Sequence, residues 1–176
     1  MMEKKLPQIK IREWNEKPRT KLRFIKIGDI FCYQFSEEMF VFGQILGKVN
    51  VGHVIQFFDI FQARPTITVE ELSRAQFIGK PIIIDSYTLF DRSPVWFWQI
   101  IGHQVDFDPS HFKDLAFKWG DPNGLHFGKV WLDGRREPKI FSREEVEDLD
   151  WEACVGTIVY NRILEEELAS RGNKGV

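Results

Sequence analysis

Residues 96–104 read WFWQIIGHQ, and their reading decides the fold. The stretch is either a buried strand leaving the core or the lip of an active site with His103 as its working group. In an extended chain, side chains alternate between faces. Trp96, Trp98 and Ile100 then share one face, and Phe97, Gln99 and Ile101 the other. Both faces are largely apolar, as in a central strand covered on both sides. Gly102 permits a positive φ or a bulge where the strand bends away. His103 then caps the edge of the core, with one ring nitrogen on a backbone carbonyl and the other on water. The stretch reads best as a central strand that seals the core.

Outward from it, the pattern is mostly strands. Arg23–Lys26 reads as a short strand, Gly28-Asp29 as a turn dipeptide, and Ile30–Phe35 as a second strand. Ser36-Glu37-Glu38 is a hairpin loop before a third strand over Met39–Leu46, and His53–Phe61 is a fourth. These strands are apolar on both faces, so either helices cover the second face or the sheet curls towards a barrel. Gly43, inside the third strand, suits the bend that curling needs. Thr68 with Glu71 matches a capping box and predicts a helix over 69–75, stopped by Lys80-Pro81. Ile82–Ile84 is a short buried strand. After Val105 comes a loop holding one helical turn, then a hairpin turning at Asp133-Gly134. Ser142 with Glu145 is a second capping box, for a helix over 143–149. The spacing of Trp151, Val155, Ile158, Val159, Ile163 and Leu168 predicts a final amphipathic helix over 151–169. The expected fold is α+β: a mostly antiparallel, strongly curled, barrel-like sheet with one mid-chain helix and C-terminal helices. Residues 1–20 read as a basic arm and 21–170 as a single globular domain.

Composition narrows the function. The 176 residues are 43% hydrophobic and 14% aromatic, which excludes a disordered chain. No apolar run approaches the ~20 residues that span a bilayer. Residues 1–14 have charge but no apolar h-region, so no secretion signal is expected. Cys32 and Cys154 lie far apart and suit reduced thiols in a cytoplasmic protein. The net charge of −2 is unevenly spread. Residues 1–26 carry nine Lys and Arg against three Glu, whereas residues 137–167 carry ten acidic groups against Lys139, Arg143 and Arg162. Aromatic strands beside a basic arm could stack single-stranded nucleic acid, but the acidic body opposes a phosphate backbone.

No catalytic motif stands out. There is no dinucleotide-binding glycine fingerprint, no P-loop, no HExxH and no GxSxG. Of His53, His103, His111 and His126, two lie near carboxylates in sequence: His103 near Asp106 and Asp108, and His111 near Asp114. No spacing matches a metal site, so no catalytic residue, metal or cofactor is expected. A small hydrolase or ligand-binding barrel with a pocket near His103 is the alternative.

Four short pieces, KIGDIF at 26–31, FGQIL at 42–46, FFD at 57–59 and WQIIGHQ at 98–104, fall in the order and approximate spacing of the immunity protein 26 family. The chain resembles that family over residues 21–108. The resemblance implies a bacterial cytoplasmic protein without chemistry of its own. It would bind and neutralise a cognate toxin of a polymorphic toxin system, encoded beside it. Gly28, Asp29, Gly43 and Gly102 then become turn and bend residues of the fold. A toxin that cuts nucleic acid needs a basic surface to hold phosphates, and an inhibitor with an acidic surface complements it, so a basic nuclease domain is the expected kind of toxin. Glu144, Glu145, Glu147, Asp148, Asp150 and Glu152 are the candidate partner-binding residues, since helix N-termini alone would favour only two or three such carboxylates.

Overall fold

The computed structural model describes residues 7–172. Among these residues, eight strands form two antiparallel sheets: β1 (Ile9–Ile11), β2 (Asp29–Ser36), β3 (Met39–Val49), β4 (Gly52–Gln62), β5 (Phe77–Ile84), β6 (Trp98–Gln104), β7 (Ala116–Gly120) and β8 (Phe127–Trp131). Two α-helices accompany them, α1 (Val69–Arg74) and α2 (Thr157–Gly172). The main sheet has the order β1-β6-β2-β3-β4-β5, and β7 pairs with β8 in the second. The opening stretch is a central strand from Trp98 onward: β6 lies between β1 and β2, with Trp98 and Ile100 buried on one face and Ile101 on the other, while Trp96 (φ +46°) and the exposed Phe97 precede the strand and fall outside the expected alternation.

The main sheet is open. Its edges β1 and β5 pair with one neighbour each and not with one another, which corrects the barrel-like expectation. The reason is that other elements cover both apolar faces, so closure is not needed to remove them from water. On one face, Phe31, Phe57, Trp98 and Ile100 pack beneath Tyr160 and Leu164 of α2 and beneath Phe90. On the other, Ile30, Cys32, Phe42 and Ile101 lie under Leu72 of α1, Ile67 and Trp14. Further along that face, Leu46, Val54 and Ile83 meet Phe117 and Val130 of the second sheet. Gly43 serves close approach instead of closure: the Phe31 ring crosses it, and a Cβ there would stand 2.4 Å from Phe31 Cζ. At Gly102 the β2–β6 register slips between Ile30 and Phe31, the bulge that a glycine favours.

Two local signals held. Thr68 and Glu71 form a reciprocal capping box at α1. Gly28 takes φ +89° in the turn before β2, and Asp29 Oδ2 accepts from Lys26 N at 2.8 Å to close it. Elsewhere tertiary partners overrode the pattern. Arg23–Lys26 is not a strand; Leu22–Phe24 make a 3-10 turn. Lys80-Pro81 lie inside β5, where proline is tolerated because the strand is an edge.

Within the expected basic arm, residues 1–6 lie outside the described part. Ile9–Ile11 form β1 against β6, Trp14 packs edge-on to Phe40, and Arg19 reaches Asp91 through Nε (3.0 Å) and Nη2 (2.6 Å). The helix expected over 143–149 is only a 3-10 turn, Glu144–Val146. The final helix starts at Thr157 instead of 151, because Trp151 bridges Lys118 beside β7 and Val155 N donates to Ile83 O on β5. Its buried stripe is Tyr160 and Leu164, while Ile158 is 84% exposed.

Candidate functional site

Gly28 and Asp29 are brought next to Gly102 and His103, since Asp29 pairs with His103 across β2 and β6. His103 Nδ1 lies 2.9 Å from Asp29 Oδ1. The carboxylate side chain is 7% exposed and the imidazole 34%. The partner of His103 is thus this carboxylate and not a backbone carbonyl. Burial raises the Asp29 carboxyl above its ordinary range, opposed by the Lys26 N–H and by His103. Both Asp29 oxygens are thereby committed, one to His103 and one to Lys26 N. The aspartates that flank His103 in sequence turn elsewhere: Asp106 Oδ1 accepts from Gln8 N at 3.0 Å, and Asp108 caps Ser110. Among the described residues, no three His, Cys, Asp or Glu gather as a metal site would require.

The other buried histidine is His53, whose Nδ1 lies 2.9 Å from Ser86 Oγ. Desolvation, with Lys48 adding repulsion, pushes its pKa down to about 4. Both side chains are enclosed, so the pair contributes to the core instead of a reactive surface.

The acidic segment is built on the second sheet. Phe141 pairs with Phe127 next to β8, and residues 150–152 run alongside β7 through Lys118 and Trp151. The 3-10 turn Glu144–Val146 and the residues after it cap the face so formed, burying Val146 and packing Leu149 against Phe127 and Phe141. Lys118 holds this cap from beneath. Its Nζ donates to Val146 O and Glu147 O, each at 3.2 Å, and lies 5.3 Å from the Trp151 ring centroid. Arg143 ties the cap to the β7–β8 loop by donating to Pro122 O at 2.9 Å.

The six carboxylates fall into two groups. Glu145 pairs with Lys139 (2.7 Å), Asp150 with Lys80 (2.5 Å) and Glu152 with Arg136 (2.6 Å). Glu152 is 3% exposed at its side chain, so it is part of the scaffold. The Lys139 ammonium and the Ser142 N–H hold the Glu145 carboxyl below its usual range. The remaining three, Glu144, Glu147 and Asp148, are exposed and pair with no Lys or Arg among the described residues. Sequence spacing did not separate anchors from free groups, because the cations involved lie 6 to 70 positions away. Lys118, the central support, carried no local signal at all.

No helix among the described residues is long and apolar enough to cross a membrane. No curated protein and no solved structure matches the chain. A family model described as Immunity protein 26 matches residues 26–129, more than half of the chain. The matched span runs beyond the four quoted sequence pieces, through β7 and into β8. It stops before the acidic segment, and within it lie the Asp29–His103 pair and the whole main sheet except β1. The chain belongs to the immunity protein 26 family.

Proposed function

We propose that the chain is a bacterial cytoplasmic immunity protein of a polymorphic toxin system, which binds a cognate protein toxin and neutralises it without catalysis of its own. Family membership is the observation that carries this reading. The toxin is a nuclease domain with a basic face, and the acidic segment around Glu144, Glu147 and Asp148 meets it. Support comes from the division of that segment: Asp150 is spent on Lys80 of β5, Glu152 on Arg136 and Glu145 on Lys139, which leaves three carboxylates of the cap without a cation among the described residues. A fixed charged surface speeds encounter with an opposite field and rejects wrong partners. A hydrolase acting through His103 is less well supported: Asp29 does orient the ring through Nδ1, but among the described residues no serine, threonine or cysteine hydrogen-bonds to His103 and no metal-ligand cluster lies there.

The test is capture with tagged chain from the native cell, followed by co-expression with the toxin domain encoded beside it. The expected result is a stoichiometric complex, and rescue of growth in cells expressing the toxin. Rescue without a complex, or a purified chain that hydrolyses substrate until His103→Ala removes the activity, would overturn the reading.

A further inference from the structure

Gln44 is 3% exposed, yet half of its amide is unused. Its Nε2 donates to Gln104 Oε1 at 2.9 Å and to Gly28 O at 3.4 Å. Its Oε1 accepts from no described residue. This side chain lines a groove of about 1080 Å³, where the layer over the main sheet is interrupted. Ile30 and Phe58 line it from the sheet; residues 72–77 form one wall and residues 106–112 the other. Apart from Pro7 and Ile9, its lining falls within the span that matches the family.

The charges in the groove are unequal. Asp106 and Asp108 stand on one wall and Arg74 on the other, with His111 beside Asp108. Asp106 spends Oδ1 on Gln8 N, and no described residue occupies its Oδ2. Asp108 accepts from the Ser110 backbone and hydroxyl, which leaves its charge uncompensated by any described Lys or Arg. The open groups on this side are therefore acceptors, two of them anionic, beside an apolar floor. A complementary group has N–H donors, a positive charge and an aliphatic stem that packs on apolar surface.

We infer that this groove receives an arginine or lysine side chain of the toxin. The stem lies along Ile30 and Phe58, and the cationic head meets Gln44 Oε1 and the Asp106 and Asp108 carboxylates. Arg74 repels the head from the opposite wall and so selects the aspartate side. The inference rests on the chain's role as a toxin binder and names a contact separate from the acidic cap.

The toxin domain encoded beside the chain is the probe, in equilibrium titrations against three variants. Asp106→Asn with Asp108→Asn keeps one oxygen at each position for the Gln8 and Ser110 backbone N–H groups and removes the charge. Ser73→Trp fills the groove from the α1 wall. Arg74→Gln removes the repelling cation. The double Asn variant is expected to weaken binding at least tenfold, Ser73→Trp to weaken it as much or more, and Arg74→Gln to leave it equal or tighter. Thermal melts confirm that each variant folds. Should one fail to fold, hydrogen exchange on the wild-type complex replaces it, with protection expected over residues 72–77 and 106–112. Unchanged affinity in the first two variants, loss in the double Asn variant alone, or absent protection would each overturn the groove contact while leaving toxin binding intact. A toxin that does not bind wild-type chain would overturn the functional reading itself, and this contact with it.

Discussion

Trp98 touches more of the aromatic core than any nearby sequence signal suggests. Its ring stacks on Tyr33 at 4.5 Å and meets Phe31, Phe57, Phe90 and Tyr160 at 5.1 to 5.9 Å. Trp98→Ala is expected to cost about 3–5 kcal/mol, the usual range for a large buried aromatic, read as a shifted urea midpoint at constant slope. His103→Ala removes one of two partners of a buried carboxylate. It is expected to cost about 1–3 kcal/mol, and Asp29→Asn in the same background should recover part of the loss by removing the stranded charge. His53 links stability to pH. Folding lowers its pKa from 6.5 to about 4. Between those values the unfolded chain binds a proton that the folded chain does not, so stability falls as pH drops from 6.5 towards 4. The shift corresponds to about 3 kcal/mol at most. Denaturation at pH 7 and pH 4.5 measures it, and His53→Gln should reduce the difference.

At the scale of elements, capping signals worked where the chain after them was free to follow. Thr68–Glu71 led into a real helix, because Leu72 had the sheet to pack on. At Ser142–Glu145 only half of the box formed, with Ser142 N donating to Glu145 Oε2 at 2.8 Å, while the other Glu145 oxygen went to Lys139. Lys118 then took the carbonyls of Val146 and Glu147 that a longer helix would have used. The acidic segment is therefore a stitched cap, and its carboxylates have different duties. Glu152→Ala is expected to destabilise by about 1–3 kcal/mol, since it strands Arg136 beside a buried position. Glu147→Ala should leave the melting temperature within a degree or two. Parallel thermal melts decide it: equal effects would mean that Glu152 is no anchor.

At the scale of the whole molecule, the proposed roles of the acidic cap and of the aspartate wall of the groove together predict how a toxin partner would associate. Exposed charges are screened over ~8–10 Å at physiological ionic strength. Association should slow markedly as salt rises. Reversing Glu144, Glu147 and Asp148 to Lys should lower the on-rate more than it raises the off-rate. Stopped-flow association at several salt concentrations reads both constants. A salt-independent on-rate, untouched by the triple reversal, would move the docking surface away from the cap.

By itself the sequence determined the central strand at Trp98–Gln104, the hairpins of β2 to β4, the turn at Gly28-Asp29 and the capped helix α1. It also carried the family, through four short pieces in order. Each of these depends on contacts within a few residues or on alternation along one strand, which a linear reading captures. Whether the sheet closed was decided only in three dimensions. Strands apolar on both faces are equally consistent with a barrel and with a covered open sheet, and the choice fell to α2, α1 and the β7–β8 sheet docking from far along the chain. The same holds for the candidate surface. Its six carboxylates were legible as a cluster, but their division into anchors and free groups depends on Lys80, Arg136, Lys139 and Lys118, and the groove exists only because two covering pieces leave a gap over Gln44. Charge is written along the chain, whereas its pairing depends on which segments packing brings within reach.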